Sequence, residues 1–335
     1  MEPAVQTLTF TGIVAPKGGG NLSHIDLSQV ASLVNRRFYR QGINWAVAGF
    51  KFTATGGTGS IQINKLPNTW IMSNAWEKSF RAWNDMNKMA LEESPSVRPR
   101  FLDFKIYADS AHHNAGFDAN LLPVSGGGVT AIRGEWEPSK LRIPDSTIAG
   151  NTREREIIAV GASYPGNGAS GLNAVSAIEG YANSRGLPNV VDPNAPDDSA
   201  DADGIAPENW MSALFNQGTE QIDEVLTDMI TENNTAPYPF ENGPNPAGGA
   251  FADTMYPNGE TQLAGLQIHD VELVSGTTIG GTTRLKGGNF PCGLVQIVIA
   301  NTTDPIEGQD MNFTLQIDLV PGNHRGYLCE PMTEM

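Results

Sequence analysis

From Asn312 to Leu319 the chain alternates strictly, with Phe313, Leu315, Ile317 and Leu319 apolar and Thr314, Gln316 and Asp318 polar between them. A period of two sends neighbouring side chains to opposite faces of a strand, so this segment predicts a sheet with one buried and one wet face. Related runs predict strands over Trp45–Thr55, Ser60–Leu66, Phe101–Tyr107, Gly134–Ile143, Arg153–Val160, Gln262–Val274 and Phe290–Ala300, eight in all with the first. Thr7–Val14 adds an edge strand, and Gly56-Gly57 predicts a hairpin turn between the first two of the eight in chain order.

Helical spacing is rarer. Leu27, Val30, Leu33, Val34 and Phe38 share a helix face, with Asp26 as N-cap, Gly42 as stop, and Arg36, Arg37 and Arg40 in the last turns. A second helix starts near Ser73, carries Trp76, Phe80 and Trp83 on one stripe, and ends before Pro95. A third spans Trp210 to Ile230, interrupted at Gly218. With no regular alternation of strand and helix, two packed antiparallel sheets are favoured over a parallel one. Eight strands in two sheets predict an all-β fold: a single jelly roll, an eight-stranded antiparallel sandwich with a few helices and long loop insertions. Residues 1–335 read as one such domain, with 15–43 as an N-terminal helical segment and 161–261 as a long acidic loop insertion between strands.

Composition agrees with a many-stranded, loop-rich chain: of 335 residues 37 are Gly and 22 Pro, while 39% are hydrophobic, enough to fill a core. The opening MEPAVQTLTF has no basic then apolar leader pattern, and no run approaches the ~18 apolar residues that span a bilayer, so a soluble, unsecreted protein is expected. Four Asn-x-Ser/Thr sequons begin at Asn21, Asn233, Asn301 and Asn312, and without an export signal they carry no expectation of glycosylation. Two cysteines, Cys292 and Cys329, make neither a disulfide framework nor a metal pair. The net charge of −16 is uneven: residues 1–160 hold 17 basic and 14 acidic side chains, and residues 161–335 hold 4 basic (Arg185, Arg284, Lys286, Arg325) and 23 acidic. Nucleic-acid contact is therefore expected from the first half, since phosphate binding needs a basic patch.

Candidate chemistry is sparse. Asp109-Ser110-Ala111-His112-His113-Asn114, with Asp118 nearby, gathers imidazoles and carboxylates, but no metalloprotease or facial-triad spacing is present and a polar loop is expected. Asp197 to Gly204 imitates a calcium loop, yet its twelfth position is Trp210 instead of Glu, so a looser calcium site through Asp198, Asp201 and Asp203, shared between subunits, is the remaining cation reading. Gly161-Ala162-Ser163-Tyr164-Pro165 lacks the closing glycine of a nucleophile elbow, and Gly56-Gly57-Thr58-Gly59-Ser60 lacks a phosphate-loop lysine.

The segments NRRFYRQGINWAVAGFKF, KLPNTWIMSNAWEKSFRAWN, RFLDFKIYAD and GEWEPSKLRIP resemble capsid proteins of small circular single-stranded DNA viruses that encode a replication-initiator protein, environmental and marine ones in particular. The similarity is densest over Ile25–Pro144; LVQIVIA and FTLQIDL are consistent with it. The resemblance implies a jelly-roll subunit without catalytic residues that assembles with copies of itself into an icosahedral shell, a virion capsid, around a circular single-stranded DNA genome, with no membrane and no required cofactor. Such proteins often carry an arginine-rich arm, whereas Met1–Asn35 holds one basic residue, Lys17. The expectation for DNA contact passes to folded residues, Arg36, Arg37 and Arg40 for phosphates with Phe38 and Tyr39 for stacking. Calcium at subunit contacts would relieve repulsion between acidic halves. The rival readings are a lectin-like carbohydrate-binding module on the same sandwich, and a metal-dependent hydrolase using Asp109, His112 and His113.

Overall fold

The computed structural model describes residues 4–92, 95–97, 103–144, 152–185, 210–211, 265–276 and 281–335. In chain order they form β1 (Thr7–Ala15), β2 (Gly20–Asp26), α1 (Leu27–Asn35), β3 (Ile43–Thr55), β4 (Thr58–Lys65), α2 (Trp70–Glu92) and α3 (Ser110–Ala115). There follow β5 (Leu141–Pro144), β6 (Thr152–Ile158), β7 (Ala174–Ser176), α4 (Ala177–Arg185), β8 (Gln267–Ser275) and β9 (Thr282–Phe290). The last elements are β10 (Leu294–Asn301), β11 (Met311–Leu319), β12 (Pro321–Gly322), β13 (Gly326–Tyr327) and β14 (Cys329–Pro331).

Two antiparallel sheets make a sandwich. One, the β1 sheet, has the order β1-β11-β3-β9, with β14 on the first residues of β3; the other, the β2 sheet, has the order β2-β10-β4-β8. The predicted alternation does the packing: Phe10, Phe50, Phe52 and Leu315 of the β1 sheet meet Ile25, Ile61, Val295 and Ile297 of the β2 sheet in one buried cluster. Tyr39, Trp45 and Tyr327 close one end of it, their ring centroids 5.5 to 5.8 Å apart. A second cluster lies where α2, α4, Trp210 and the small β5-β6-β7 sheet pack together, and Leu294 and Met332 join it.

Several expectations shift. Gly56 and Gly57, at φ +75° and +58°, do turn the chain, but β3 and β4 belong to different sheets, so the turn carries the chain across the sandwich and is no hairpin. Residues 103–106 are irregular, with Gln41 and Ser139 side chains taking the backbone bonds at Ile106 N and Lys105 N, and only Tyr107 pairs, in a parallel bridge with Ile158; Phe101 and Leu102 lie outside the described residues. Of Gly134–Ile143 only the end is strand. Predicted 153–160 forms β6, outside the sandwich, pairing parallel to β7. The sandwich instead gains β2 and β9, two strands rich in polar and glycine residues. Gly42 does not end α1, which stops at Arg36 in a left-handed conformation (φ 52°); a Cβ at Gly42 would lie 2.2 Å from the Trp76 ring, so close packing requires glycine there. The 15–43 segment holds a strand as well as its helix. Within 161–261, β7, α4, Trp210 and Met211 contribute to the buried core, and the remainder of the predicted third helix lies outside the described residues, as do Asp198, Asp201 and Asp203.

Candidate functional site

Asp26 caps α1 as its sequence position predicts. Its Oδ1 accepts from Ser28 N at 2.9 Å, Gln29 N at 3.2 Å and the Ser28 hydroxyl, while Oδ2 accepts from Gln41 Nε2 and Trp136 Nε1, both at 3.0 Å. Five donors converge on one fully buried carboxylate, whose acidity burial weakens despite them. This hub ties the start of α1 to the chain at Gln41 and to the segment around Trp136, while the helix ends after Asn35, at the left-handed Arg36.

Beyond that end stand the predicted arginines, no longer in a helix. Arg36 and Arg40 are exposed and Arg37 is half-buried. Tyr39 is fully buried: its backbone N–H bonds Ser32 Oγ at 3.0 Å and its hydroxyl donates to Arg325 O at 3.0 Å. That ring belongs to the core, which corrects its assignment to base stacking; Phe38 is half-buried against Tyr107 and Trp136. Arg325 is an unforeseen fourth cation, held at the same corner by a bond from its guanidinium to Phe38 O. Asn35 and Tyr327 lock the corner, since Asn35 Nδ2 donates to the Tyr327 hydroxyl at 2.7 Å and that hydroxyl donates to Val5 O at 2.6 Å. The arginines of this segment and Arg325 are groups that can hold phosphate oxygens, and of the two predicted stacking rings only Phe38 is partly exposed.

The imidazole-rich segment is a helix, α3, and its N-cap is Asp109, whose Oδ1 accepts from His112 N at 2.9 Å. The signal was a capping Asp three residues before His112. The helix covers the outward side of the β2 sheet, where one row of paired residues reads His24, Gln296 and Asn64. Gln296 Nε2 reaches Asp109 Oδ2 at 2.9 Å, and the His24 and His112 rings stack at 4.4 Å. His112 Nδ1 accepts from Ala108 N at 3.1 Å, which leaves Nε2 to carry the proton toward Asn120 Oδ1 at 2.9 Å. Burial lowers the basicity of both rings, that of His24 to about 4 against the pull of Asp109.

His113 points elsewhere, its Nε2 lying 2.9 Å from Glu156 Oε2, with both side chains fully buried. Asp109, His112 and His113 therefore do not converge, and among the described residues no group of three or more His, Cys, Asp or Glu side chains is placed to hold a metal ion. Nor is any described helix long and apolar enough to cross a membrane. Asp103, which accepts from Gln41 N at 3.3 Å, has its pKa pushed up to about 7 by burial, opposed by Lys105 and helped by Asp26.

No family model, curated protein or solved structure matches the chain.

Proposed function

We propose that this chain is a structural capsid subunit that assembles with its own copies into an icosahedral shell around circular single-stranded DNA. The observation that carries the reading is the strand order. Counted along the chain, the eight sandwich strands pair as first-eighth-third-sixth and second-seventh-fourth-fifth, antiparallel throughout. That wrapping supports reading the sandwich as a jelly roll, an architecture used by viral shells and by lectins. Between those two uses, the resemblance over Ile25–Pro144 and the arginine corner favour the shell. His24 and His112, bonded to Gln296 and Asn120, also leave the cluster around them a scaffold role.

The acidic second half makes copies repel, so assembly improves with calcium or mild acid, and carboxylates shared between subunits are the groups that respond. The test is size-exclusion chromatography with light scattering, followed by negative-stain microscopy, with and without calcium and at pH 5 and 7.5. Megadalton spherical particles are expected. A monomer or dimer under every condition overturns the reading and turns attention to carbohydrate binding.

A further inference from the structure

The chain has few cations after residue 160, and two of them meet a third from the first half on one open face. Lys51 of β3 lies directly opposite Arg284 of β9, and Lys286 sits two residues further along, opposite Gly49. All three face away from the core, because Phe50, Phe52 and Leu285, which alternate with them, are buried. Arg284 and Lys286 are exposed and Lys51 is half-buried. Among the described residues none of the three is within ion-pair distance of a carboxylate. Asp270 reaches only the backbone, accepting from Lys286 N at 2.9 Å.

The rest of the face fits the same purpose. The row through Lys51 runs Thr9, Gln316, Lys51, Arg284, and Thr314, Thr53 and Thr282 form the next row. Of the face's carboxylates, Asp318 shares the row of Lys286 across Gly49 and accepts from Thr7 Oγ1 at 2.5 Å, and Glu330 of β14 accepts from Asn44 Nδ2 at 2.9 Å. Like charges directly opposite on paired strands destabilise a sheet, so Lys51 and Arg284 weaken the free subunit unless an anion lies between them. In a chain of net charge −16 that arrangement is not a by-product of general basicity. The face offers hydroxyls, an amide and cations but no aromatic ring, which suits phosphate oxygens and not bases.

We propose that the outer face of the β1 sheet binds the phosphate backbone of single-stranded nucleic acid, independently of sequence, through Lys51, Arg284 and Lys286. This rests on the capsid reading, to which it adds the surface that faces the genome, separate from the Arg36–Arg40 corner. Such binding releases counterions, and each neutralised phosphate contributes about 0.7 to the slope of log affinity against log salt. The experiment is fluorescence anisotropy of labelled thirty-base oligo-dT and oligo-dA over a salt series, using the full chain. Variants are Lys51→Gln/Arg284→Gln/Lys286→Gln, the charge-retaining Lys51→Arg/Arg284→Lys/Lys286→Arg, and Arg36→Gln/Arg37→Gln/Arg40→Gln.

Equal affinity for both oligomers is expected, with the slope falling by about 2 in the first variant and restored in the second. No binding by the unsubstituted chain at low salt, or a slope unchanged in the first variant, overturns the proposal. Loss of self-association in the first variant with DNA binding intact also overturns it, and assigns the face to an acidic segment of another copy. Particle formation by light scattering, read on the same samples, judges the capsid reading separately. Circular dichroism melts verify that each variant is folded.

Discussion

The two outer faces of the sandwich grow from the same alternation and end with opposite chemistry. On the β2 sheet, the outward row His24, Gln296 and Asn64 is buried under α3 and bonded side chain to side chain. Along the same sheet the cover stops, and Leu22, Val271 and Leu273 are exposed. On the β1 sheet, outward threonines and cations remain open to solvent. A polar residue on a strand thus has no fixed meaning: covered, it becomes part of a bonded scaffold; uncovered, it stays open to solvent.

The largest expected effect falls on the covered side. Asp26→Ala removes the α1 cap and leaves the Trp136 N–H and one of the two Gln41 amide N–H groups buried without an acceptor, the other still held by Ile106 O, which should cost at least about 3 kcal/mol in urea unfolding. A loss under 1 kcal/mol would mean that the hub does not organise this end of the molecule. Trp136→Phe removes one donor alone and should cost less.

Acidity sharpens the contrast further. Asp103 holds a proton more tightly when folded, so its contribution to stability is full below the unfolded pKa of ~4 and is lost as pH rises through about 7. His24 works in the opposite sense: unfolded imidazole takes a proton near pH 6.5 that folded His24 refuses until about 4, so its contribution is lost as pH falls across that window. Comparing Asp103→Asn with the unsubstituted chain at pH 5 and pH 8 isolates the first term. The variant should gain stability relative to the unsubstituted chain between pH 5 and pH 8; a pH-independent difference would break the argument.

On the open faces stability should barely respond. Lys51→Ala, which relieves repulsion with Arg284, and Leu273→Ser, at a position 82% exposed, are each expected to stay within about 0.5 kcal/mol. A larger loss from Lys51→Ala would show that the cation is bonded structure and not available surface.

How much of this was legible can be followed residue by residue. Asp26 announced α1 because a cap acts within three residues, and Trp76, Phe80 and Trp83 announced α2, although it begins at Trp70. Strand β9 did not announce itself: TTRLKGGNF carries two adjacent glycines. A Cβ at Gly287 would lie 2.2 Å from Val47 O, so the close approach of β9 to β3 excludes the side chains that would have marked a strand. The arginine corner was half visible, since Arg36, Arg37 and Arg40 lie together in sequence while Arg325 arrives from the far end of the chain.

By itself the sequence determined the elements whose cause is local: the period of two in β11, the capped start of α1, the aromatic stripe of α2 and the β-rich character of the whole. The tertiary structure alone decided which strands share a sheet, that His24 stacks on His112, and that Lys51 faces Arg284. The physical reason is range. Caps and periodicity act between neighbours in the chain, whereas a bond such as that between Gln296 and His24 joins residues 272 positions apart and exists only once the register of separate strands is set.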